Sequence, residues 1–197
     1  MDNNWPTTQD MRNRLAYLIG SPPKVNPPIV VDWQGTTYRF ATRNFSSLEH
    51  FTDGEGARRC GGRFTPIGAQ RTLYSSMDIA TAAAELESWY AYYFLPATSF
   101  QPHVLAAIAV SVGLVLDLTA SETMSELGLT INQICEEWRL LSDENAVAPT
   151  QTFGRSVYEA GFEGILFPSG RRDGGCNLSL FPDNYRDGSH AIMLNYD

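Results

Sequence analysis

Residues 71–85 read Arg71-Thr72-Leu73-Tyr74-Ser75-Ser76-Met77-Asp78-Ile79-Ala80-Thr81-Ala82-Ala83-Ala84-Glu85. Residues 71–75 have the look of a short strand, with an aromatic among small and β-branched neighbours. Ser76 can accept from the free amides of a following turn, so it is the expected N-cap. Asp78 falls in the first turn, where the helix dipole favours negative charge. The alanine-rich run that follows predicts a long helix to about Tyr93. A strand therefore feeds directly into a helix here.

Working outward, strands and helices mix without regular alternation. Residues 36–42 predict a strand, and 44–62, polar and glycine-bearing, mostly loop. Residues 103–111 and 115–118 predict two apolar strands in a hairpin-like pair. Thr130 caps a helix expected over 131–141, and 151–160 forms another, stopped by Gly161. Residues 164–168, 178–181 and 191–196 predict closing strands. Toward the N-terminus, Thr7 or Thr8 caps a helix through Leu18, with Met11, Leu15 and Leu18 on one face. The proline-rich stretch 21–28 cannot continue that helix and predicts an extended connector. This organisation gives residues 1–28 as helix plus connector and 29–197 as the body. The fold class expected is α+β, one compact domain with central mixed β-sheets flanked by helices.

The chain has 197 residues, enough to bury a core without metal or disulfide, and 43% are hydrophobic. Its formal net charge is −8, which argues against direct nucleic-acid binding or an anionic membrane surface. Lys24 is the single lysine, so the positive charge is carried by arginine, whose planar fork suits phosphate and carboxylate. Cys60, Cys135 and Cys176 are widely spaced, which predicts free thiols and a reducing cytoplasm. The first twenty residues hold no uninterrupted apolar stretch, so neither a secretory signal nor a membrane span is expected there. Oligomeric state is left open.

Generic motifs for dinucleotide, P-loop or zinc chemistry are absent, and His50, His103 and His190 lack metal-ligand spacing. No metal is expected. Four segments stand out together: Tyr38-Arg39; Gly61-Gly62-Arg63-Phe64-Thr65-Pro66-Ile67-Gly68; Leu73-Tyr74 with Glu85 in the helix that follows; and Gly161-Phe162-Glu163-Gly164-Ile165-Leu166-Phe167-Pro168-Ser169 with Asn177-Leu178. Pro149-Thr150-Gln151 with Gly154 precedes the last of these.

In order and spacing, these segments resemble the RES-domain family, named for an arginine, a glutamate and a serine. The resemblance spans roughly residues 28–185. Thr65 stands where the family usually has asparagine, and Ile67 interrupts the usual run before Gly68. The resemblance implies a fold similar to the ADP-ribosyltransferases and a cleft that grips NAD as substrate. It further implies a toxin that breaks the nicotinamide–ribose bond, by hydrolysis or phosphorolysis, held in check by an Xre-like antitoxin covering the active site. ADP-ribosyl transfer to a protein or nucleotide, and a non-catalytic partner-binding module, are the alternatives.

Residue types support that chemistry. Cleaving the bond builds oxocarbenium-like charge on the ribose, which a carboxylate can stabilise, and Glu85 is the candidate. Glu87, two residues on, is its rival on another helical face. Arg39 and Arg63 are the pyrophosphate candidates. Both are read as exposed, so removing either is expected to cost little stability. Arg58 and Arg59 read as solvated loop charges. With Arg63, Arg171 and Arg172 they are expected near the cleft mouth, where an inhibitor's carboxylates would complement them. Tyr74 and Tyr38 are candidate stacking platforms for a cationic ring, or core residues. Ser169, at a strand end, is expected to orient Glu85 or touch substrate, and Asn177 to act similarly. A serine nucleophile is not expected, because no GxSxG elbow exists.

Overall fold

Thirteen residues of one strand set the architecture. The computed structural model describes residues 4–20, 30–42, 51–95, 103–144 and 146–194. The connector expected at 21–28, the loop residues 44–50 and the last residues of the expected final strand, 195 and 196, lie outside them. Strand β1 (Val30–Thr42) pairs along its length, antiparallel, with β3 (His103–Asp117). At its other edge β1 meets β2 (Leu73–Ser76) through one pair, Tyr38 opposite Ser76. From β2 the sheet continues through β5 (Cys176–Leu180) and β4 (Gly164–Pro168) and returns to β3, so five strands close into a ring. Strand β6 (His190–Met193) lies outside the ring on β3. Among the described strands only β3 and β4 run parallel, which makes the sheet mixed. The expected α+β class holds.

Helices surround the ring: α1 (Thr8–Gly20), α2 (Glu55–Cys60), α3 (Ile79–Tyr92), α4 (Ser121–Leu127), α5 (Ile131–Ile134), α6 (Arg139–Asp143) and α7 (Pro149–Glu159). One core cluster draws on every strand of the ring, including Ala41, Leu73, Ile108, Leu166 and Leu178. A second joins the sheet to the helices, with Leu15 of α1, Leu127 of α4, Ile134 of α5 and Val157 of α7 fully buried.

Four sequence expectations need correcting. Residues 103–117 are one strand, not a hairpin-like pair, because β1 pairs with β3 almost from end to end and carries it past Gly113. The cap of α3 is Asp78, whose carboxylate accepts from the Thr81 amide at 2.9 Å and the Thr81 hydroxyl at 2.7 Å. Ser76 is still in the strand. Part of the expected loop 44–62 is helical, as α2. The single helix expected over 131–141 is two short ones, α5 and α6. The break falls where the Arg63 guanidinium takes the carbonyls of Ile134 and Glu136, at 2.8 and 2.7 Å.

Candidate functional site

The pair Tyr38–Ser76, at the seam of the ring, begins a cross-strand row that continues through Asn177 of β5 to Phe167 of β4. Residues directly opposite in neighbouring strands share a face of the sheet. All four line a cavity of about 310 Å³. Helix α3 crosses it and presents Ala82, Glu85, Leu86 and Trp89, spaced as one helical stripe. Arg39 follows Tyr38 along β1, and Arg63 and Tyr74 complete the inner wall. Trp138 and Arg139 also line it.

Glu85 is held from two directions. The Ser169 hydroxyl donates to its Oε1 at 2.7 Å, and the Asn177 side-chain amide donates to the same oxygen at 2.8 Å. Both donors are themselves oriented. The Arg171 amide donates to Ser169 Oγ at 3.1 Å, and the Ser76 hydroxyl donates to Asn177 Oδ1 at 2.7 Å. One carboxylate oxygen is therefore fixed, while the other, Oε2, has no donor among the described residues. Ser169 itself lines the neighbouring cavity with Cys135 and Arg171, and reaches this one through Glu85. Its hydroxyl orients the Glu85 carboxylate. Glu87 is exposed and lies off the cavity stripe.

The Gly61–Thr65 turn carries Arg63 into the wall. Gly62 and Thr65 exchange backbone hydrogen bonds at 2.9 and 3.1 Å. Gly62 must be glycine, since a Cβ there would sit 2.5 Å from the Tyr74 ring. Helix α7 clamps the turn: the Gln151 amide donates to the carbonyls of Gly62 and Thr65, at 3.1 and 3.2 Å. Gly154 of α7 allows that approach, because a Cβ would fall 2.3 Å from Phe64 Cβ. Phe64 then packs edge-on against Phe167, with centroids 4.8 Å apart. The Thr65 hydroxyl bonds both Thr72 and Tyr74 from a fully buried position.

Arg63 is only 8% exposed, and Arg39 is half-buried. The expectation of two exposed arginines is thus overturned. Burial pushes the Arg63 guanidinium below its ordinary value, and the charge of Glu85 across the cavity is the main opposing influence. Burial also lowers Arg39, opposed by Asp53. Arg63→Ala is expected to cost stability. It leaves one buried and one part-buried carbonyl without a charged donor, a loss of roughly 1.5–3 kcal/mol in all where water takes over at the more open one. A fall of about 4–10 °C in Tm follows for a chain of this size. A thermal melt checks it, and an unchanged Tm would mean water satisfies both carbonyls.

Tyr74 is tied by its hydroxyl as well as its ring. It accepts from the Phe64 amide at 2.8 Å and meets Thr65 Oγ1 at 2.9 Å. Burial pushes its phenol up to about 12, so the hydroxyl keeps its proton. Tyr38 lines the same wall. The five expected cations do not gather at one mouth. Arg58 lines a separate cavity with Arg71 and Arg155, and Arg58 and Arg59 both pair with Glu55. Arg171 pairs with Glu137 and Arg172 with Asp78.

Sequence reading missed Trp89, Trp138 and Arg139. Arg139 is 8% exposed, with its guanidinium carbon 5.3 Å from the Trp138 ring and 5.5 Å from that of Tyr92. Two acidic neighbours, Glu136 and Glu137, make this segment look like a solvated helix face. Among the described residues, no three metal-ligating side chains cluster. None of the described helices is long and apolar enough to cross a membrane.

Comparison with curated protein sequences gives no match. Among solved structures, the fold is similar to a chain of the crystal structure of the M. tuberculosis MbcT–MbcA toxin–antitoxin complex. The TM-score is 0.73 at 20% identity, over 95% of this chain and 90% of that one. The RES domain family model matches residues 36–194, a span that holds Tyr38, Arg39, Arg63, Tyr74, Glu85, Ser169 and Asn177. With most of its length inside that match, and with these residues converging on one cavity or on the carboxylate within it, the chain belongs to the RES domain family.

Proposed function

We propose that the protein cleaves the nicotinamide–ribose bond of NAD and acts as a toxin restrained by a cognate Xre-like antitoxin. The observation that carries the reading is the carboxylate of Glu85, fixed through one oxygen by Ser169 and Asn177, in a cavity that also holds Arg39 and Arg63. In this reading the two arginines take the pyrophosphate. Oε2 of Glu85 faces the ribose next to the bond that breaks. As that bond lengthens, its electron pair leaves with nicotinamide, which becomes neutral, and the ribose takes on positive charge. The preorganised carboxylate stabilises that charge without reorganising. Water or phosphate then adds to the ribose carbon, and the proton of water, where water adds, passes to solvent. Tyr38 and Tyr74 offer ring faces to the nicotinamide ring, which is cationic in bound NAD and neutral once it leaves.

The antitoxin part rests on the family and on the structural neighbour, a chain of a toxin–antitoxin complex. The experiment is incubation of purified protein with NAD, with and without inorganic phosphate. Free nicotinamide is the expected result, accompanied by ADP-ribose after hydrolysis or a phosphorylated ADP-ribose after phosphorolysis. NAD left intact would remove the reading. Nicotinamide with label on a macromolecule would redirect it to transfer.

A further inference from the structure

Along α3 the cavity wall runs from buried Ala82 to exposed Trp89. At the N-terminal end of α3, Thr81 is fully buried and packs so tightly on Gly175 that a Cβ on that glycine would fall 2.6 Å from its hydroxyl. The Asp78–Arg172 pair, at 3.1 Å, lies across the same end. At the C-terminal end, Trp89 is 44% exposed although it lines the cavity. Glu85 and Trp89 are four residues apart, about 6 Å along the axis and on one face. Trp138 comes to the same opening because α6 is tied to the end of α3. The Tyr92 hydroxyl donates to Asp143 at 2.8 Å, and Arg139 lies over Tyr92.

Arg139 is built into this opening. Its Nη1 donates to Glu137 at 3.2 Å, while no described residue accepts from its Nε or Nη2. Glu137 is held in turn by Arg171. The opening thus combines two indole rings with a nearly buried guanidinium that retains donors.

We infer that Trp89, Trp138 and Arg139 form the subsite for the adenosine half of the dinucleotide, with Arg139 on its phosphate and the indoles on its base. The inference rests on the proposed NAD reading. With the reacting ribose at Glu85, the small nicotinamide ring fits the buried end of the α3 wall. The long half then extends toward the exposed end of that wall, past Trp89. A base stacks on indole through its π-face. The subsite makes the enzyme selective for a dinucleotide over a mononucleotide carrying the same scissile bond.

Trp89→Ala and Trp138→Ala test this beside the wild type, with nicotinamide release measured from NAD and from nicotinamide mononucleotide. Each variant is expected to raise KM for NAD by about 5- to 150-fold, the effect of losing one stacked base. kcat for NAD and kcat/KM for the mononucleotide should stay near wild type. Equal loss on both substrates, or an unchanged KM for NAD, would overturn the subsite while leaving bond cleavage intact. Quenching of tryptophan fluorescence by ADP-ribose supplies a readout independent of turnover. Quenching in the wild type that is lost in Trp138→Ala, with no nicotinamide from either substrate, would uphold the subsite and remove the chemistry. Neither quenching nor release would overturn both.

Discussion

Glu85→Gln should cut nicotinamide release by about 10²–10³, the cost of losing one preorganised electrostatic contact, while KM for NAD barely moves. The substitution is nearly isosteric. Its amide oxygen can take the place of Oε1, accepting from Ser169 and Asn177, which now donate at 2.7 and 2.8 Å. Its amide nitrogen then occupies the Oε2 position, facing the cavity with no negative charge. Charge that matters only as the bond breaks shows in kcat, not in binding. Helix propensity is almost unchanged, so the melt should be too. Glu87→Gln is the internal control, since Glu87 is exposed and outside the cavity stripe. Nicotinamide release and a circular-dichroism melt on both variants decide the matter. Full activity in Glu85→Gln would mean the carboxylate is not the stabilising group. A dead Glu87→Gln beside an active Glu85→Gln would mean the wrong face of α3 had been chosen.

Ser169 and Asn177 were legible in sequence only as members of an ordered set. Local chemistry gave a serine after a proline and an asparagine in a strand. What joins them to Glu85 is the β4–β5 pairing, which puts Pro168 opposite Cys176 and Phe167 opposite Asn177. No local pattern encodes that pairing. Strand β3 misled for a related reason. Gly113 interrupts an apolar run as a turn would, and its amide is instead taken by Glu163 at 2.7 Å, fifty residues on. The broken helix at 135–138 is the same lesson in another element. Periodicity there supports a continuous helix, and a distant guanidinium on its carbonyls shapes the turn that replaces it. Trp138 and Arg139 follow that turn, so their place at the cavity was invisible until the turn was seen. Composition, the Thr130 cap and the apolar face of α1 were legible because they are local.

Glu163 sits within the segment that carries Ser169, yet its own work is structural, and its removal should be more destabilising than that of Arg63. Its carboxylate is fully buried. Oε2 accepts from the Gly113 amide at 2.7 Å and the Ser189 hydroxyl at 2.9 Å, while Oε1 accepts from the Arg186 amide at 2.9 Å. It thereby ties β3, β4 and the turn before β6 into one unit. Its backbone adds to this, donating to Leu114 and accepting from Phe181, both at 2.8 Å. Glu163→Ala leaves two backbone amides and a hydroxyl, all part-buried, without an acceptor, and each such orphan costs at least roughly 1 kcal/mol. A total of about 3–5 kcal/mol is expected, comparable to breaking a buried charged network. At about 2–4 °C per kcal/mol for a domain near this size, Tm should fall by roughly 6–20 °C. Glu163→Gln should recover only part of that. One of its two terminal positions is a donor, and both carboxylate oxygens now accept from backbone amides. Thermal melts of the two variants beside the wild type test the ranking. A Glu163→Gln melt equal to wild type would show that one oxygen suffices, and that the Arg186 contact contributes nothing to the fold. Hydrogen exchange at Gly113 and Arg186 separates the two sides of the carboxylate. Both amides should lose protection in Glu163→Ala, while in Glu163→Gln only the one facing the new amide nitrogen should. Loss at both in Glu163→Gln would mean that β3 and the 186–189 turn open together, held by the charge of Glu163 rather than by its separate hydrogen bonds.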